Sequence, residues 1–221
     1  MAVAAASAVR AWLNALPGLT GKGHPLPAGV FLEGHPVRSP AHGAYARLVL
    51  EPGSSQDLTA EPGGPCIARV TAHVFGEDAL PDLIGAGIDC IEHGTGLSPD
   101  LIDEMVAGGV SLVPTAKQLG NFPTYAAQGE PKFPLYARHL RSLFDRRRDT
   151  IGAAHEAGVP IFAGTDAGGV LPHGLIAAEV QELATYGLSA YEALGAASWR
   201  AREWLGHSGR LAEGIRANFV V

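Results

Sequence analysis

The sequence predicts an α/β fold of about four strand–helix units, arranged as a parallel sheet or barrel behind a loop-rich N-terminal region. Three observations carry this reading. From residue 68 onward, short apolar runs alternate with amphipathic helical stretches, which is the βα rhythm of a parallel sheet. Several of those runs end on a polar residue, His73, His93 and Asp166 among them, and the C-terminal ends of parallel strands are where such folds bind ligands. Residues 1–67 lack the rhythm and hold eight of the chain's 16 prolines, in phrases such as "GKGHPLPAG" and "EPGSSQDLTAEPGGP".

The elements follow in order. "ARVTAHV" reads as a first strand ending near His73, and "EDALPDLIGAG" as a helix closed by glycine. "IDCIEHG" is a second strand ending at His93. In "SPDLIDEMVAGG" Ser98 suits an N-cap and Pro99 the first helical position. "VSLVPT" is a third strand, followed by a long loop over residues 121–134 that could serve as a lid or substrate wall. The longest helical signal covers residues 135–157. A fourth strand, "VPIFAGTD", follows; then come a helix in "HGLIAAEVQELATYG", carrying Glu179 and Glu182, and one or two more in "SAYEALGAASWRAREWLG". The region 1–67 offers one N-terminal helix and one plausible strand, "ARLVLE", and is otherwise expected to be poorly structured. The expected division is therefore 1–67 and 68–221.

Composition limits the function classes. A chain of 221 residues supports one core but falls short of the roughly 250 of a closed (β/α)₈ barrel. A net charge of -6 gives no general attraction to nucleic acid or to an anionic membrane. Arg146, Arg147 and Arg148 sit beside Asp145 and Asp149 and read as a solvated helix face. Cys66 and Cys90 are too few for a disulfide framework and match no zinc-knuckle spacing. The Ala-rich opening lacks a basic start and is interrupted by Arg10, unlike a signal peptide, and no run is long enough to span a bilayer. A cytoplasmic location is the expectation.

Imidazole and carboxylate are ligands of catalytic Zn²⁺ or Mn²⁺, and a set of three leaves a position open for water. Two histidines and an aspartate at three strand ends fit that chemistry. Each alone fits a plainer role equally well: a hydrogen-bonded rim histidine, or an aspartate that shapes the turn in "IFAGTDAGG".

Taken in series, "AHVFGEDALPDLIGAGIDCIEHGT", "VSLVPT", "AGVPIFAGTDAGGVLPHG" and "ALGAASWRAREWLG" resemble the later barrel strands of the metal-dependent amidohydrolase superfamily, in its imidazolonepropionase- and prolidase-like branch. The resemblance spans about residues 68–214. It implies a partial TIM-type (β/α) barrel, with His73 and His93 as the strand-five and strand-six metal ligands. Asp166 would be the strand-eight ligand and general base, and His173 a residue near the substrate. It further implies a divalent cofactor, Zn²⁺ first and Mn²⁺ next, and hydrolysis of a C–N bond in an amide, cyclic amide or dipeptide-like substrate through metal-bound hydroxide. Two family features are not found: a first-strand His-x-His pair, since His24, His35 and His42 are isolated, and a bridging strand-four lysine, since Lys22 does not match. The tail carries Asn218 where an aspartate is usual. The alternative is thus a truncated or degenerate amidohydrolase without turnover. An incomplete barrel also leaves an exposed sheet edge through which copies could associate. His155, Trp199 and Trp204 read as packing residues; Lys117 and Tyr125 are candidates for substrate contact.

Overall fold

The computed structural model describes residues 30–32, 45–49 and 69–214. His24, His35, His42, Lys22, Cys66, Asn218 and the expected N-terminal helix lie outside these residues. Five strands form one sheet in sequence order: β1 (Val30–Leu32), β2 (Tyr45–Val49), β3 (Arg69–Val74), β4 (Cys90–His93) and β5 (Ser111–Val113). β3, β4 and β5 are parallel neighbours, as the strand–helix rhythm requires. On the other edge β2 pairs antiparallel with β3 and parallel with β1. "ARLVLE" is therefore largely the strand β2. β1 was not anticipated: three apolar residues between Gly29 and Glu33 are too few to display a period.

The helices are α1 (Leu80–Gly85), α2 (Pro99–Gly108), α3 (Ala116–Leu119), α4 (Phe122–Gly129), α5 (Pro134–Ala157), α6 (Ile176–Thr185), α7 (Ala190–Ala196) and α8 (Trp199–Trp204). The capping signals act as read. Ser98 accepts from the Leu101 amide at 3.3 Å, and Gly109 closes α2 with φ 66°. Along β3, Val70, Ala72 and Val74 turn into the core with Leu80, Leu83, Ile91, Met105 and Leu112, while Arg69, Thr71 and His73 alternate to the other face. None of the described helices is long and apolar enough to cross a membrane.

Three expectations are corrected. Most of the expected loop over residues 121–134 is the helix α4, because Phe122 and Ala126, four residues apart, are fully buried, with Phe122 edge-on to Phe75 at 4.8 Å between centroids. Pro123 stands in its first turn and Gly129 is its last residue, positions where a helix tolerates them. The fourth strand shortens to a single parallel bridge, Leu112 to Ile161. Leu112 donates to Pro160 O and Phe162 donates to Leu112 O, each at 2.9 Å, but Ala163 then donates to Ala196 O at the end of α7 and leaves the sheet. The basic run is not merely solvated: Arg146 pairs with Glu77, and Arg147 stacks 3.6 Å over Phe144 while donating to the Tyr186 hydroxyl.

The loops after β3 and β4 are locked together just beyond the two histidines. Thr95 Oγ1 donates to Phe75 O at 2.7 Å, and a Cβ placed on Gly96 would stand 2.3 Å from Gly76 O. Backbone cannot yield as a flexible side chain can. Gly96→Ala is expected to cost about 1–3 kcal/mol in urea unfolding; an unchanged midpoint would mean that the two loops move apart freely.

Candidate active site

β3 and β4 are in register with Val74 opposite His93, so His73 and His93 lie on adjacent strands at the same end of the sheet. Their side chains meet: His93 Nε2 is 2.7 Å from His73 Nδ1, with ring centroids 4.4 Å apart. Phe75 packs against both rings, at 4.3 and 4.5 Å between centroids.

Beyond His93 lies a residue whose part was not foreseen. His93 Nδ1 is 2.5 Å from Thr115 Oγ1, and Thr115 Oγ1 donates to Pro114 O at 2.8 Å. That carbonyl can only accept, so the hydroxyl proton is engaged there and the oxygen receives the Nδ1 proton of His93. His93 is thereby assigned the tautomer whose Nε2 lone pair faces His73. Burial holds both imidazoles neutral: His73 is pushed down to about 4, and His93 well below its ordinary value by burial and then by its histidine neighbour. Neutral imidazole is the form that binds a metal.

Backbone strain marks the same rim. Among the described residues, the non-glycine positions with positive φ are His93 at 70°, Thr115 at 50° and Asp166 at 52°. His93 ends β4, Thr115 follows β5 and Asp166 follows the bridged segment. A left-handed β-branched threonine costs about 1–3 kcal/mol, and strain of this sort gathers at functional sites because tertiary contacts must hold it there. Two of these three residues were expected from the sequence as rim residues; Thr115 was read only as the end of the third strand.

Among the described residues no group of three or more His, Cys, Asp and Glu side chains is placed to hold a metal ion. Asp166 lies in the segment that leaves the sheet after Phe162, next to a tight turn in which Gly168 N donates to Leu171 O at 3.0 Å. His173 stands over that turn, its ring 3.5 Å from where a Gly168 Cβ would be. Of the remaining candidates, Tyr125 bonds with Gln118 and the Lys117 amide donates to Glu179 Oε2 at 2.8 Å. His155 faces Glu192 at 3.6 Å. Trp199 and Trp204 are only half-buried rather than core: Trp199 packs on Tyr191 and Trp204 on Phe162 beneath Arg69. A cavity of about 410 Å³ lined by Tyr191, Trp199, Glu203, Gly209 and Arg210 includes none of the rim residues.

The sequence profile described as the amidohydrolase family matches residues 67–221. The chain belongs to the amidohydrolase family. This family member is 58% identical over 142 residues to uncharacterized proteins of Mycobacterium tuberculosis and Mycobacterium bovis, an alignment covering 64% of this chain and 38% of theirs. It thus spans well under half the length of these relatives. Among solved structures it resembles a Xaa-Pro dipeptidase with methionine bound in its active site, at 30% identity and a TM-score of 0.51, over 63% of this chain and 36% of that one. It also resembles the ochratoxinase of A. niger, at 27% identity and a TM-score of 0.50, over 61% and 29%. The amidohydrolase fold is a TIM-type barrel, and the three parallel strands of this chain account for part of one.

Proposed function

We propose that this chain carries the later-strand half of a metal-dependent hydrolase of C–N bonds in amides, cyclic amides or dipeptide-like substrates. The observation that supports it most is the contact between His73 Nδ1 and His93 Nε2, two neutral donors at adjacent strand ends with the outer nitrogen of His93 already engaged by Thr115. That donor chemistry fits a divalent ion, because a ligating histidine ordinarily gives its other N–H to a neighbouring oxygen. The 2.7 Å contact is a hydrogen bond in which His73 Nδ1 donates to the lone pair of His93 Nε2; to share a tetrahedral zinc the two nitrogens would move to about 3.3 Å apart and His73 would carry its proton on Nε2 instead.

His73 and His93 would hold the ion, Zn²⁺ first, with Asp166 approaching from the neighbouring segment. A bound ion supplies a Lewis acid and a water of lowered pKa. Asp166 accepts the proton of the attacking water and returns it to the departing nitrogen, and His173 orients the substrate beside it. Phe75 and Phe122 keep bulk water from the inner side of the histidine pair.

The test is metal content of protein purified without chelator, followed by turnover of N-acyl amino acids, dipeptides and cyclic amides with and without added Zn²⁺ or Mn²⁺. We expect bound zinc and metal-stimulated turnover. Asp166→Asn should lower turnover by about two orders of magnitude while leaving zinc bound through the histidines. A chain that binds zinc and turns over nothing would support the degenerate reading; metal-independent turnover, or none of the loss in Asp166→Asn, would reject the mechanism.

A further inference from the structure

Thr115 holds its strained conformation without capping α3 through its own side chain, which is committed to His93 and Pro114. The first amides of α3 are satisfied from elsewhere. Glu179, in the first turn of α6 and with no exposed surface, accepts from Ala116 N at 2.7 Å through Oε1 and from Lys117 N at 2.8 Å through Oε2. Both oxygens are thus spent on the two peptides that directly follow Thr115. We infer that Glu179 is a positioning residue: its carboxylate clamps the backbone after Thr115, so that the threonine hydroxyl meets His93 Nδ1 and the His93 Nε2 lone pair stays turned toward His73.

The physical case is one of constraint. A threonine in the left-handed region relaxes unless neighbouring contacts prevent it. Ala116 and Lys117 cannot swing away without stranding a buried carboxylate and two amide protons. Relaxation of Thr115 would remove the partner of His93 Nδ1, after which the ring can flip or change tautomer and present N–H where a lone pair is needed. Glu179 touches neither histidine; it acts through Thr115. The inference deepens the proposed metal site and rests on the histidine pair, while its first test requires no metal.

In the full chain, stripped of metal with chelator, ¹⁵N-histidine NMR at about pH 8, where Glu179 is a carboxylate, should show His93 as a single Nδ1–H tautomer with a slowly exchanging proton. Glu179→Gln keeps the shape but offers one carbonyl oxygen to two amides, and Thr115→Val removes the hydroxyl. Each should give mixed His93 tautomers and weaken Zn²⁺ binding about 10- to 100-fold. Thr115→Ser, which keeps the hydroxyl, should restore the parent tautomer. Because Glu179 works through Thr115, Glu179→Gln in the Thr115→Val background should add no further loss. Folded Glu179→Gln protein with an unchanged His93 signal, or losses that simply add, would overturn the inference. Should Glu179→Gln not fold, amide exchange in the unsubstituted chain decides: protection of Ala116 and Lys117 supports the clamp, and exchange at the rate of open loop amides refutes it. A tautomer that shifts as expected in a protein that binds no Zn²⁺ would uphold the clamp and reject the metal reading alone.

Discussion

His93→Ala is expected to lower Zn²⁺ affinity by about two orders of magnitude or more and to remove metal-stimulated turnover, because one of two imidazole donors is lost from a site with few to spare. The same variant carries a folding penalty unrelated to metal. Position 93 has φ 70°, where alanine is disfavoured and glycine is not. His93→Gly should therefore be more stable than His93→Ala by about 1 kcal/mol and equally poor at binding zinc. Titration calorimetry with Zn²⁺ and urea unfolding of both variants separate the two effects. If the alanine and glycine variants lose zinc only in proportion to their loss of stability, His93 is a packing residue and not a ligand.

Glu179 sets the second large effect, on stability against pH. Burial raises its carboxyl to about 7, outweighing the two backbone amides that favour the anion; nearby Glu182 raises it further and Lys117 opposes. Between the ordinary glutamate value near 4.5 and about 7, the folded protein holds a proton there that the unfolded chain has released. Stability from this group is complete below that window and lost as pH rises through it, by up to about 3 kcal/mol. The buried histidines run the opposite way: they are neutral when folded and protonated when unfolded below about 6.5, so they favour folding as pH rises. The measurable quantity is thus a difference. With chelator present, the stability of Glu179→Gln minus that of the parent should climb by up to about 3 kcal/mol from pH 4.5 to 7.5 and then level off. A flat difference across that range would mean that Glu179 is ionised throughout, held by its two amide bonds.

How much of this was legible depends on the distance over which each feature is decided. The parallel strands β3, β4 and β5, the caps of α2 and the placing of His73 and His93 at one rim follow from short-range pattern: alternation along a strand, a serine before a proline, a glycine after a helix. The polar residue ending an apolar strand needs no knowledge of its neighbours to be noticed. α4 was hidden because proline and glycine in its flanks mimic a loop, and only burial of Phe122 against Phe75 makes it a helix. The fourth strand was overread for the converse reason. Its apolar run is real, yet pairing ends where Ala163 finds the Ala196 carbonyl, a partner that no local pattern announces.

Glu179 shows the limit most clearly. Its contact with Ala116 crosses 63 residues, and the one local sign was a glutamate among Ile176, Val180 and Leu183 on the apolar face of an amphipathic helix. The sequence by itself determined the three parallel strands β3, β4 and β5, their order, and the two imidazoles that share their rim, since those are consequences of period and chain direction. Tertiary structure alone decided that the imidazoles touch, that Thr115 is forced left-handed to meet one of them, and that a buried carboxylate from α6 holds it there. Backbone strain and a buried charge each cost free energy locally, and only contacts from distant segments can offset that cost.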